Sequence, residues 1–180
     1  VGRVYYYLFG DNNILLEHYR NGENLLTMKL ERPPLPFRTT QNILEHAPER
    51  PPWVVEPWIV RGTITQVIAD VKAGKSTFVK GLARAIARGE PFMGRLAERG
   101  PVVYLTEEPH SAYVEGLRTV KIAPHDDIHS LYLSDTWGWD WLSLALKTIE
   151  YCKGINAKLL IIDTFPRFAG FEGEDENKQG

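Results

Sequence analysis

The chain holds 180 residues, with 21 Lys+Arg against 23 Asp+Glu, a net charge of −2 and 43% hydrophobic residues. At about 150 residues per domain this length makes one domain plus a short extra piece, and the balance excludes a wholly disordered chain, a fibrous one or a globally basic nucleic-acid binder. One cysteine, Cys152, cannot form an internal disulfide, and no apolar run reaches the ~18 residues of a membrane span. No membrane partner is expected, and the expected location is cytoplasmic.

Residues 1–31 read as a β-meander of unknown role. VYYYLF, ILLEHY and LLTMKL are apolar and aromatic runs, separated by GDNN and by Asn21-Gly22. Asn-Gly tolerates positive φ at little cost and favours a tight hairpin. Residues 32–57 read as a Pro-rich linker, because seven of the twelve prolines fall between Pro33 and Pro57 and proline fixes φ and removes a backbone donor. Residues 40–46 within it could complete one helical turn. From residue 58 the pattern changes to strands alternating with helices. Strands are predicted over residues 63–69, 102–106, 130–133 and 159–163. Phe78, Val79, Leu82 and Ile86 recur at helical spacing before Gly89, a suitable helix stop. Further helices follow Pro109 and run through Leu142, Ala145, Ile149 and Cys152. Such alternation implies an α/β fold with a parallel sheet covered on both faces. The tail carrying Glu172, Asp175 and Glu176 reads as an acidic loop.

The strongest chemical signal spans residues 69–77: Ala69, Asp70, Val71, Lys72, Ala73, Gly74, Lys75, Ser76 and Thr77. The relaxed pattern arises by chance in roughly 1 in 100 chains of this length, and its place between a predicted strand and a predicted helix makes chance rarer still. Successive backbone N–H groups of such a loop cradle phosphate oxygens, and the following helix adds its positive N-terminal dipole. Lys75 supplies the cation for the β- and γ-phosphates of ATP, Ser76 a hydroxyl for Mg²⁺, and Thr77 a contact to the α-phosphate. The departure is Ala69, where the pattern has glycine. Alanine accepts positive φ less readily, so a strained or reshaped loop entry is expected.

Two carboxylate sites complete the reading. Asp163 closes an apolar strand at the C-terminal sheet edge, where open α/β sheets bind ligands, and is expected to hold Mg²⁺ beside Ser76. Glu107 and Glu108 end the strand at 102–106 on the same edge. One of them is expected to accept a proton from water attacking the γ-phosphate. Adjacent residues point in different directions, so only one should face the site.

These residues resemble the RecA-like ATPases, and within them the branch of RepA-type hexameric replicative helicases and related AAA-family ATPases. The resemblance runs from about residue 52 to 177, through PPWVVEPWIVRGTITQVIADVKAGKSTF, ARGEPFMGR, VVYLTEEP, KLLIIDTFPRF and GEDEN. It implies a P-loop NTPase of RecA-like topology over residues 58–180, incomplete after the Walker B strand. It implies Glu108 as the hydrolytic base by ungapped alignment, or Glu107 after a one-residue shift. It also implies a ring-shaped homo-oligomer working on DNA in the full-length protein, though these residues do not themselves show DNA binding. In this family a strand later than Walker B lies between the strands corresponding to 63–69 and 159–163. The sheet is therefore expected to hold those two strands two spacings apart, with a vacant lane between them and an aggregating or molten chain as the result.

The other readings stay open at this stage. A nucleotide-dependent binding module with little hydrolysis is the alternative function, and a small-molecule kinase is the third. The histidines show no paired metal-ligand spacing. Trp137, Trp139 and Trp141 are read as core or partner-facing before base-stacking, and Arg84 and Arg88 as lying on a solvated helix face.

Overall fold

The computed structural model describes residues 2–7, 35–70 and 72–170. The chain divides into two compact units, one formed by residues 1–10 with 52–180 and the other by residues 11–51. The strands expected at residues 14–19 and 25–30, and the acidic tail loop, lie outside the described residues.

In chain order the elements are β1 (Gly2–Tyr7), α1 (Thr40–Glu45), β2 (Trp53–Val55), β3 (Ile59–Val60), β4 (Ile64–Ala69), α2 (Lys75–Arg88), β5 (Val102–Thr106), α3 (His110–Thr119), β6 (Ile128–Tyr132), a 3-10 turn (Leu133–Thr136), α4 (Trp141–Gly154), β7 (Leu159–Asp163) and α5 (Phe165–Phe168). The smaller unit contributes α1, which starts where the Thr39 hydroxyl accepts from the Asn42 amide at 3.2 Å. It buries none of its residues. The larger unit holds a five-stranded sheet in the order β4-β1-β7-β5-β6 and the two-stranded β2–β3 pair.

β5 pairs in parallel with β6 and with β7. β1 runs antiparallel to both β4 and β7, so β4 is parallel to β7 across it. The expected two-strand separation of β4 and β7 is therefore present, but the expected vacant lane is not. Residues 2–7 fill it, running the opposite way, and supply backbone partners to both neighbours. The physical reason is general: interior strands with open donors and acceptors on both sides are costly, and any segment long enough can satisfy them. The aggregating or molten chain inferred from an open lane loses its premise.

Period-2 alternation sorts the strands onto two cores. Val102 and Tyr104 of β5 with Leu159 and Ile161 of β7 face α2 and α3, meeting Val79, Leu82, Ala83, Ile86 and Tyr113. Val103 and Leu105 with Leu160 and Ile162 face the other way, toward Leu144 and Cys152 of α4. Both strands are buried throughout, as parallel strands covered on two faces should be. Burial pushes the Cys152 thiol up to about 12, so it packs as a small apolar group. α2 ends at Gly89 in the left-handed region (φ 71°), the stop its sequence suggested.

Arg84 and Arg88 do not lie on a solvated face. Arg84 Nη1 donates to the Val120 carbonyl at 2.7 Å. Arg88 donates from Nε to Asp126 Oδ1 at 2.7 Å and from Nη2 to Oδ2 at 2.8 Å, and reaches the Lys121 carbonyl at 2.9 Å. The Ala123 amide donates to the same carboxylate at 2.7 Å. Long guanidinium arms can leave a helix surface and clamp a neighbouring loop, and this pair fastens the C-terminal end of α2 to the turn after α3.

The forked bond from Arg88 holds the Asp126 carboxyl below its ordinary range. A lowered folded value stabilises the fold above the unfolded range near about 4, and the contribution disappears as pH falls through the folded value. Asp126→Asn should therefore lower the melting temperature by several degrees at pH 7, with the gap to the parent closing in acid. A pH-independent gap in thermal melts would contradict the ion-pair account.

Candidate nucleotide and phosphate site

β4 delivers the loop to the C-terminal edge of the sheet. Ala69 is its last residue and does not stand among the residues with positive φ. The strain expected at this position is absent because the chain is still extended there, a conformation alanine adopts freely. The left-handed positions fall later, at Lys72 (φ 64°) and Gly74 (φ 85°). A Cβ at Gly74 would meet nothing within 4 Å, so glycine is required there by backbone conformation and not by space. The Ala73 amide returns to the Asp70 carbonyl at 3.2 Å, and α2 starts at Lys75. The Lys75 ammonium bends back across the loop, donating to the carbonyls of Ala69 and Asp70 at 2.7 Å each. Val71 lies outside the described residues.

The alternation that builds the two cores also distributes the carboxylates. Asp163 continues the series Leu159, Ile161 on the α2 face. It is 3% exposed, takes the Tyr104 hydroxyl at 2.8 Å and has the Ser76 side chain beside it, which favours its charged form. Burial raises its pKa, against the pull of those two hydroxyls. Ser76 and Asp163, separated by 87 positions in sequence, thus come together between the first turn of α2 and the end of β7. A hydroxyl and a carboxylate brought together at the mouth of a phosphate loop are the hard oxygen donors Mg²⁺ takes, so these residues fit that ion. Among the described residues no cluster of three or more His, Cys, Asp or Glu side chains could hold a metal by itself.

Glu107 and Glu108 part company. Counting by twos from Tyr104 through Thr106 puts Glu108 on the α2 face, where its Oε2 accepts from the Lys80 ammonium at 2.6 Å. Its amide donates to the Thr106 hydroxyl at 3.1 Å. Glu107 instead accepts from the Thr164 hydroxyl at 3.3 Å and pairs with Arg167 Nε at 3.1 Å. Burial raises the Glu107 pKa, and Arg167 only partly opposes it. Glu108 therefore shares the face of Asp163 and α2, while Glu107 is tied to the chain just beyond β7.

Sequence reasoning did not pick out Lys80, Tyr104 or Thr164. For Lys80 a signal was present: it sits three residues before Ala83 and beside Val79 on the apolar stripe of α2, where a lysine is out of place. Of the tryptophans, Trp137 and Trp139 are 94% and 51% exposed and are not core residues, whereas Trp141 packs edge-on against Phe165 with centroids 5.1 Å apart. A cavity of about 360 Å³ opens on the α4 face between Leu105, His129, Thr136, Trp139, Thr148 and Tyr151, on the opposite side of the sheet from Asp163 and Glu108.

Comparison with protein families finds one whose description is an AAA domain, matching residues 29–180. No curated protein and no solved structure matches the chain.

Because Ala69 is extended, Ala69→Gly should leave the affinity for Mg-ATP within about twofold of the parent. Gly74→Ala forces alanine into a left-handed conformation costing about 1–2 kcal/mol and should weaken the same binding severalfold. A large gain in affinity from Ala69→Gly, read by calorimetric titration, would show that the loop entry is strained after all.

Proposed function

Since the chain belongs to the AAA domain family, and with it to the nucleotide-binding P-loop ATPases, we propose that it binds ATP with Mg²⁺ and hydrolyses it. The observation that carries this reading is the convergence of Ser76, Asp163 and Glu108 on one face of the sheet, directly beyond the loop 69–77.

The residues divide the work as follows. The backbone amides of the loop and the first turn of α2 receive the phosphates, with Thr77 toward the α-phosphate. Lys75 exchanges the carbonyls of Ala69 and Asp70 for the β- and γ-phosphates, a trade of neutral acceptors for charged ones. Ser76 and Asp163 would hold the Mg²⁺, whose contribution is to neutralise and orient phosphate oxygens. Glu108 accepts a proton from the attacking water. Glu107, turned to Thr164 and Arg167 beyond β7 and off the face that carries Asp163, is the less suitable base.

The finer reading is a DNA-associated motor of the RepA type, assembled as a ring of identical chains in the cytoplasm. Its support is the resemblance carried by ARGEPFMGR and the segments around it. No helix among the described residues is long and apolar enough to cross a membrane.

Lys75→Ala should weaken Mg-ATP binding about 10–150-fold, the loss of a charge-assisted contact worth about 1.5–3 kcal/mol. Glu108→Gln should keep ATP affinity and lower turnover by about 10²–10⁴. Equal calorimetric affinity for Lys75→Ala and parent would sink the phosphate-loop reading. Turnover unchanged in Glu108→Gln but lost in Glu107→Gln would move the base by one residue. Tight ATP binding without turnover in the parent would favour the nucleotide-dependent binding module.

A further inference from the structure

A cation buried in an apolar helix–sheet interface needs a reason, and Lys80 is 2% exposed. It projects from the apolar stripe of α2, with its ammonium 5.1 Å from the centre of the Tyr113 ring and 6.0 Å from that of Tyr104. Its ion-pair partner is Glu108, at 2.6 Å. A second observation points to the same arm. Gly116 of α3 has no side chain where one would collide with it: a Cβ there would lie 2.8 Å from Lys80 Nζ, 2.9 Å from Cε and 3.1 Å from Cδ. The groove for the lysine is thus shaped on three sides, by two aromatic rings and a glycine, and opens at the end of β5.

We propose that Lys80 is a positioning residue for ATP hydrolysis, a buried clamp that fixes Glu108 by one carboxylate oxygen. The inference rests on Glu108 being the base. Lys80 engages Oε2, leaving Oε1 as the oxygen that can take a proton from water. An ammonium desolvated to this degree is held in place by its pair, because losing the partner would strand a charge away from water. Residue 108 follows the end of a strand, where backbone and side chain are freer than in the strand itself. The rigid helix α2 carries both the phosphate-binding Lys75 and, five residues on, the Lys80 that holds the base. One element therefore sets the distance between phosphate and base, which is what positioning for in-line attack requires.

The test is a kinetic and thermal cycle on the full chain. Lys80→Met keeps length and apolar contact with the two tyrosines while removing the charge. Gly116→Ala keeps the charge but pushes the ammonium off its seat. Both variants should lower kcat about tenfold or more with KM for Mg-ATP unchanged, since phosphate binding is untouched. In the Glu108→Gln background neither should lower turnover further. Lys80→Met should also raise the melting temperature of Glu108→Gln, because it removes the charge that Gln can no longer neutralise; this readout does not depend on activity. A purely structural lysine would lower stability and leave kcat per folded molecule unchanged. Turnover within twofold of the parent in both single variants, with Glu108→Gln still inactive, would overturn the clamp and leave the assignment of the base intact. Full turnover in Glu108→Gln, or none in the parent, would remove the base and the clamp together.

Discussion

The phosphate loop hangs from a strand that reaches the rest of the sheet through a single neighbour. Among the described strands of the main sheet, β4 pairs with β1 alone, and β1 in turn pairs with β7. The register of β1 therefore decides which residues of β4 and β7 stand level. Val4 faces Val67 on one side and Asp163 on the other, so Asp163 lies level with a point two residues before the end of β4. A one-residue slip on either side would move the carboxylate away from the first turn of α2 and reverse the faces of β4. Everything proposed for Ser76 and Asp163 depends on that pairing.

The second constraint is the two-residue repeat of the strands. In β5 it separates Glu107 from Glu108, and in β7 it places Asp163 with Ile161 and Leu159 instead of with Ile162. The α2 face consequently gathers Tyr104, Glu108 and Asp163, three groups whose burial has to be matched by partners. Tyr104 donates to Asp163 and Lys80 to Glu108, and Ser76 lies beside Asp163. The site is thus a polar network laid over an apolar core. Losing any one partner leaves another group buried and unmatched, and the cost of that exceeds the value of an ordinary surface contact.

Much of this was legible in the sequence because it is local. The strands at 102–106 and 159–163, the glycine stop of α2, and the loop from Ala69 to Thr77 follow from periodicity, left-handed glycines and spacing. The order of carboxylates along two strand ends followed too. What escaped was non-local. VYYYLF reads as a strand, but nothing in those residues says which lane it occupies, since β-pairing is decided by distant partners. Arg84 and Arg88 look solvated on a helical projection, because the projection does not show the turn containing Asp126. The same blindness hid Lys80, whose partner lies 28 residues away. At Ala69 the reason is different: a glycine at the start of the motif suggests positive φ there, whereas in this chain the left-handed residues come at Lys72 and Gly74.

The most direct measurement is amide hydrogen exchange across the sheet in the nucleotide-free protein. If residues 2–7 form the lane between β4 and β7, their amides should exchange about as slowly as those of Val102–Thr106, since both are interior strands paired on two sides. Exchange of residues 2–7 at the rate of an unstructured peptide, with β5 still protected, would contradict the pairing that aligns Asp163 with the phosphate loop.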